Sequence, residues 1–167
     1  MTDPLRFSVV DEGGVPVAES DYHVPLKLVW VAPELRPTPA YVRVGGPAGA
    51  ELEFRVDPDS GAVLALVVLL FGGAEGEAAA ADADDGAQAG CTLVVEPHVW
   101  QSEQSGVVFT ELPVRTHRLP DGVQIEVEGL MPARTVHCGP VTFGLDADGS
   151  LAFLNVRAQI ADRHFQS

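Results

Sequence analysis

The sequence predicts an all-β protein, an antiparallel sandwich or barrel, from three observations. Apolar and polar side chains alternate along many short segments, which is the period-two pattern of half-buried strands. Gly- and Asp-rich turn signals separate these segments. No segment of useful length shows the 3.6-residue period of an amphipathic helix. With 167 residues and 46% apolar composition, the chain is long enough to bury a core without covalent staples.

The first half of the chain, residues 1–71, is predicted to form a β-meander. Residues 22–31, 40–44 and 51–56 alternate apolar with polar side chains. Residues 63–70 are apolar at every position. This last segment is therefore expected to be a central strand that is covered on both faces.

The second half, residues 91–167, shows the same kind of pattern. Turn signals at Pro120-Asp121-Gly122 and at Asp146-Ala147-Asp148-Gly149 separate its apolar segments. Short strands with such turns are typical of β-sandwiches and barrels. The predicted strands are 91–96, 107–119, 123–128, 141–145 and 151–156.

Residues 72–90 form an acidic, Gly- and Ala-rich segment between the two halves. The segment contains no large apolar side chain, so burial cannot offset the entropy lost on ordering it. Glycines stand at both of its ends, which argues against a stable helix. We therefore predict a mobile linker between two halves that share one core.

Two hairpins of the predicted fold resemble each other. Residues 52–63 and 141–151 each have three alternating apolar positions, an Asp-x-Asp turn and the start of a second apolar strand. This internal repeat indicates either two related meanders or the general likeness of hairpins with this turn chemistry. Residues 52–69 and 141–156 also resemble the hairpin of a family of small bacterial β domains of unknown function (DUF2283-like). The resemblance implies a hairpin fold and assigns no active site.

Charge limits the partners that the chain can bind. The sequence has 24 acidic and 10 basic residues, for a net charge of −14. Because a uniformly negative protein repels phosphate backbones and anionic headgroups, we predict no nucleic-acid binding and no membrane attachment. A basic protein partner is compatible with this charge.

Cysteine usage and the N-terminal sequence predict a cytoplasmic protein. Cys91 and Cys138 are too few for a disulfide framework, so reduced thiols are expected. Residues 1–4 lack the basic and apolar regions of a secretory signal. The longest apolar run, residues 62–71, is about half the length of a membrane-spanning helix.

No metal, cofactor or catalytic residue is predicted. The Asp turns at 57–61 and 146–149 lack the ligand spacing of a calcium loop. The His and Cys residues lack the spacing of a zinc site, and no serine elbow or phosphate-binding loop is present. The sequence thus leaves enzymatic activity open and leans against it.

One hairpin carries the most informative candidate site. The segment Leu119–Val123 fits a type I turn whose glycine forms a left-handed bulge, which makes a three-residue loop. That loop pairs His117 with Ile125 and Arg115 with Val127, so the two cationic side chains share an apolar face. If this face is inward, they line a cavity.

The alternative register gives an ordinary surface. A two-residue loop would instead pair His117 with Glu126 and Arg115 with Glu128 across the strands, which gives an ordinary salt-bridged surface. A polar segment at 96–106 surrounds one tryptophan, which either serves a binding loop or plugs one end of the core. The candidate ligand pocket comprises Arg115, His117, Trp100 and His137.

Three function classes are compatible with the sequence, and one of them is a structural subunit that assembles through a sheet edge. The first is a non-enzymatic binding protein for a basic protein partner, of the immunity or inhibitor type. Its contacts are expected on exposed carboxylates such as Glu51, Glu53, Glu126 and Glu128, if their strand faces are outward, with Trp100 as an anchor. The alternative is a β-barrel that holds a small molecule, as an isomerase or cyclase acting by shape.

Overall fold

The chain forms an all-β fold, as the sequence predicts. The computed structural model describes residues 6–10, 14–19, 23–30, 38–46, 50–71, 75–77, 90–96 and 107–158. Within these ranges there is no helix. The strands are β1 (Phe7–Val10), β2 (Val17–Glu19), β3 (Leu26–Val29), β4 (Ala40–Gly45), β5 (Ala50–Val56), β6 (Val63–Phe71), β7 (Glu75–Glu77), β8 (Thr92–Val95), β9 (Val107–Glu111), β10 (Val114–Leu119), β11 (Gly122–Val127), β12 (Arg134–Cys138), β13 (Val141–Leu145) and β14 (Leu151–Arg157).

The strands form three sheets. The N-sheet has the order β2-β3-β6-β5-β4-β9, and the C-sheet has the order β12-β13-β14-β11-β10-β7. Strands β1 and β8 form a two-stranded ribbon. Neighbouring strands are antiparallel, except that β9 is parallel to β4 and β7 is parallel to β10. In the described residues none of these sheets closes into a barrel, so the barrel alternative is wrong.

Both six-stranded sheets and the ribbon bury apolar side chains in one core. Phe7 of the ribbon packs between the sheets, with its ring 5.4 Å from that of Phe54 and 6.4 Å from that of Phe143. Trp30 also lies 6.4 Å from Phe143. Alternation along the strands therefore supplies two inner faces, and the ribbon fills the space beside them.

The predicted strand 107–119 is two strands that belong to different sheets. It breaks at Leu112 and Pro113, so that β9 pairs with the N-sheet and β10 with the C-sheet. Leu112 donates its N–H to Gly45 of β4, and Pro113 accepts a hydrogen bond from Glu128. Proline has no N–H to continue a ladder, and this explains the break.

Several strands lie outside the predicted ones. Strand β7 falls within the predicted linker, where an edge position needs only backbone hydrogen bonds and no apolar side chain. Residues 72–74 and 78–89 of that linker lie outside the described residues. Strands β1, β2 and β12 are also additional, and the side chains of β2 are all exposed.

A disulfide joins Cys91, just before β8, to Cys138 at the end of β12. Their Cα atoms are 5.5 Å apart. Both residues belong to the core cluster. The expectation of reduced thiols is therefore wrong, because the fold brings together two cysteines that the sequence separates by 47 positions. The described part of the chain contains no helix with the length and apolar character needed to cross a membrane.

Candidate functional site

The hairpin of β10 and β11 has a two-residue turn. Leu119 pairs with Gly122, which places Arg115 opposite Glu126 and His117 opposite Gln124. The three-residue loop favoured by the sequence is wrong. Gly122 does not adopt the positive φ that a bulge requires.

A close approach between strands explains the glycine at this position. A Cβ atom on Gly122 would lie 1.8 Å from the carbonyl oxygen of Val156 in β14. The glycine therefore allows β11 and β14 to pack closely, and it does not serve the turn conformation.

The register turns the predicted cationic pair away from the core. Val123, Ile125 and Val127 face inward and are buried, whereas Arg115 and His117 lie on the outer face of the C-sheet. Arg115 forms an ion pair with Glu128, and His117 Nε2 lies 3.6 Å from Glu126 Oε2. The alternative interpretation is therefore right about the two-residue loop and the ordinary salt-bridged surface, but its strand register is wrong, because Glu126 lies opposite Arg115 and Gln124 lies opposite His117. Trp100 lies outside the described residues.

His137 does share a face with His117. The register across five strands of the C-sheet aligns one side chain from each strand, and all five are polar. Four strand spacings separate the two histidines, or about 19 Å, so they do not form one pocket. We call this set the polar row, which consists of His117, Gln124, Asn155, Thr142 and His137.

The polar row is closely packed. His137 Nδ1 lies 3.1 Å from Thr142 Oγ1, and Gln124 is only 9% exposed. Among the described atoms, His117 Nε2 and Asn155 Oδ1 are buried and have no hydrogen-bond partner. Because these two atoms are inaccessible, the row offers no open site for a ligand.

The two predicted Asp turns form similar structures. Asp57 Oδ1 accepts a hydrogen bond of 2.9 Å from the N–H of Asp59. Asp146 Oδ1 accepts one of 2.9 Å from Asp148 and another of 2.8 Å from Ser150. In both turns, an Asp side chain accepts hydrogen bonds from backbone N–H groups a few residues later in the same turn. The predicted hairpins are thus confirmed.

The ribbon brings these turns together. Phe7 pairs with Val95 across the ribbon. Phe7 donates its N–H to the carbonyl of Gly149, and Val95 donates its N–H to the carbonyl of Gly61, each at 2.9 Å. The two turns therefore flank one point of the ribbon, although 89 positions separate Asp57 from Asp146 in the sequence (146 − 57 = 89).

An open cleft of about 550 Å³ lies beside one of these turns. The residues that line it include the acidic Glu96, Asp146 and Asp148, together with Arg134 and Phe7 of the ribbon. We call this the acidic cleft. The sequence indicates Asp146 and Asp148 only as parts of a turn, because β1, which helps to bring them beside Glu96, is not among the predicted strands.

Several carboxylates on the strands form ion pairs with basic residues of the same chain. Glu53 is 2% exposed and accepts hydrogen bonds from Arg43 Nε at 2.8 Å and from Arg55 Nε at 2.9 Å. Glu126 and Glu128 form the ion pairs with His117 and Arg115 described above. Glu53 is therefore not one of the outward carboxylates on which partner contacts are expected. Asp59 and Asp148 of the turns are exposed.

No metal centre is found in the described residues, where no three or more His, Cys, Asp or Glu side chains are grouped closely enough to hold an ion. No protein-family model matches the chain, and no curated protein is significantly similar to it. The geometry of the acidic turns and the cleft is thus the basis for a functional proposal.

Proposed function

We propose that this protein is a non-enzymatic binding module for a basic protein partner, of the immunity or inhibitor type. The observation that supports the proposal is the gathering of carboxylates at one end of the fold. The ribbon joins the two Asp turns there, and the acidic cleft opens beside them. The partner is proposed to dock on this end.

Long-range electrostatics favours such an encounter. A net charge of −14 produces a negative field that attracts a basic protein. Fields of this kind raise association rates by roughly 10 to 1,000 times at low salt. The same field disfavours nucleic acid and anionic membranes as partners.

The turn carboxylates divide into two groups. Asp57 and Asp146 accept backbone hydrogen bonds and hold the turns. Asp59 and Asp148 use their backbone N–H groups in the same bonds, and their side chains are exposed. The second group is therefore available to a partner, and its charge can be removed without loss of the turn geometry.

The test compares two double variants that each remove two negative charges. Asp59→Asn with Asp148→Asn changes the proposed docking end. Glu51→Gln with Glu111→Gln is the control, because both residues flank Gly45 at the opposite end of the N-sheet, about 20 Å along β5. Partners are captured from the native cell and identified by mass spectrometry, and association rates are then measured by surface plasmon resonance.

We expect the captured partner to be basic and its association rate to fall more for the docking-end variant than for the control. The rate should also fall as the Debye length drops below ~8 Å with added salt. Equal losses for the two variants would show that only net charge matters and that this end is not the docking site.

The acidic cleft supports a second candidate, the binding of a small cationic molecule. Its lining residues include three that carry carboxylates and one arginine, which favours a cation. Native mass spectrometry of the purified protein distinguishes the two candidates. A co-purifying small molecule that is lost on Asp148→Asn would favour this one.

The disulfide weighs against the cytoplasmic location expected from the sequence, since disulfides are rare in reducing compartments.

A further inference from the structure

We infer that the Cys91–Cys138 disulfide is a permanent structural crosslink, acquired before the fold closes, and that the protein matures in an oxidising compartment. This inference is independent of the proposed binding function. It follows from where the two cysteines lie, how deeply they are buried, and the absence of any other cysteine in the chain.

The crosslink joins two elements that share no backbone ladder. Among the described strands, β8 forms a ladder only with β1, apart from a single bridge between Val94 and Ala62, and β12 pairs only with β13 at the edge of the C-sheet. The Cα separation of 5.5 Å between Cys91 and Cys138 is the usual one for a disulfide. The bond therefore fixes the ribbon, and with it the acidic cleft, to the C-sheet.

Burial prevents exchange in the folded protein. Cys91 is 3% exposed and Cys138 is fully buried. A thiolate must reach a sulfur atom in line with the bond that breaks, and the packed core excludes such an approach. Formation must therefore precede closure of the core, and reduction requires that the structure open first.

The chemistry needs an oxidant, which we assign to the class of disulfide-bearing oxidoreductases or small-molecule disulfides. The thiolate of one cysteine attacks the oxidant's disulfide, which expels one thiolate and leaves a mixed disulfide. The second cysteine's thiolate attacks the mixed disulfide, so the Cys91–Cys138 bond forms and the oxidant's other thiolate leaves. The two cysteines lose two protons and two electrons, and the oxidant becomes a dithiol or two thiols.

A catalytic or redox-sensing role does not fit this pair. Redox-active cysteines are exposed and have a nearby resolving thiol. The chain has only 2 cysteines, they are 47 positions apart, and both are in the core. With no third cysteine there is also no competing pairing during folding.

The first experiment measures the crosslink in the protein as its own cell makes it. Cells are quenched in acid, the protein is denatured, and free thiols are alkylated before intact-mass analysis. We expect no alkylation without prior reduction. Two alkylated cysteines in the quenched native protein would overturn the inference.

The second experiment tests whether the crosslink is permanent. The purified oxidised protein is treated with dithiothreitol with and without denaturing urea, and reduction is followed by alkylation. Protection by the fold should slow reduction by roughly 100-fold or more without urea. Equal rates in the two conditions would overturn the inference by showing an accessible, exchangeable bond.

A variant keeps the structural role testable. Cys91→Ala with Cys138→Ala removes both sulfurs, so no buried thiol is left unpaired. We expect this variant to unfold at lower urea concentration than the oxidised protein and at the same concentration with or without reductant. If it is as stable as the oxidised protein, the crosslink is not structural.

Discussion

The two Asp turns differ in how many side chains accept their backbone N–H groups. In the turn at 57–61, Asp57 accepts one backbone N–H, and Ser60 Oγ accepts the next one, from Ala62, at 3.2 Å. In the turn at 146–149, which is one residue shorter, Asp146 Oδ1 accepts both equivalent N–H groups. One carboxylate of the shorter loop thus accepts both hydrogen bonds, whereas two residues of the longer loop accept one each.

The outer faces of the two sheets also differ, in how deeply a glutamate near the middle of a strand is buried. Glu53 in the N-sheet is buried and is held by two arginines. Glu126 in the C-sheet has a side chain that is 44% exposed, and its partner His117 is 3.6 Å away. Glutamates in the middle of comparable strands are therefore expected to contribute very differently to stability.

The largest predicted effect compares these two glutamates. Glu53→Ala removes the buried carboxylate that the partly exposed Arg43 and Arg55 share. It should lower the free energy of unfolding by about 3 kcal/mol, since two hydrogen bonds between charged groups are lost. Glu126→Ala, the matched control, should cost less than about 1 kcal/mol because exposed ion pairs contribute little. Urea denaturation measures both, and equal losses would contradict the comparison.

The next prediction compares the two Asp residues. Asp146→Ala removes two backbone hydrogen bonds and should destabilise the protein by about 2 kcal/mol. Asp57→Ala removes one and should cost about 1 kcal/mol. The unfolding midpoints of the two variants give the difference. A larger loss for Asp57→Ala would show that the shorter turn does not depend on its single carboxylate.

A third prediction concerns the glycine that connects the shorter turn to the ribbon. Gly149 has φ +85°, and a Cβ there would lie 3.0 Å from the carbonyl oxygen of Phe7. Gly129 has φ +86° and open space around it. Gly129→Ala should cost about 1 kcal/mol for its backbone conformation, and Gly149→Ala about 2 kcal/mol because the contact adds to that cost. The difference between the melting temperatures of the two variants measures the cost of the contact with Phe7. Equal shifts would mean that the ribbon moves away from the new Cβ atom at no cost.

The smallest predicted effect tests the division of roles in the longer turn. Ser60→Ala removes the hydroxyl that accepts the N–H of Ala62 and should cost about 0.5 kcal/mol. Because Asp57 keeps its own bond, the effects of Ser60→Ala and Asp57→Ala should sum to nearly that of Asp146→Ala. A sum far from that value would show coupling between the two residues of the longer turn.

The sequence predicts what depends on local patterns. Alternation and turn chemistry are local, so the hairpins at 57–61, 120–122 and 146–149 were predictable. The end of β9 was missed because apolar residues continue across Leu112, although Pro113 offered a signal. Strand β12 was missed because an edge strand leaves most of its side chains exposed.

The site depended on contacts that no local pattern encodes. Gly122, which the sequence indicates as a turn glycine, is instead required by the close approach of Val156, a contact with a third strand. The acidic cleft and the disulfide both needed the ribbon, which pairs residues 7–10 with residues 92–95. A single sequence carries no signal for pairings over such distances.

The break at Leu112 and Pro113 has a consequence for how the molecule unfolds. These adjacent residues are hydrogen-bonded to different sheets, Leu112 to Gly45 in one and Pro113 to Glu128 in the other. Strand β9 cannot detach from the N-sheet, nor β10 from the C-sheet, without pulling directly on the other strand, because no connecting loop lies between them. Melting should therefore be a single cooperative transition, with equal calorimetric and van't Hoff enthalpies. Two separate sheets would otherwise be expected to melt one after the other.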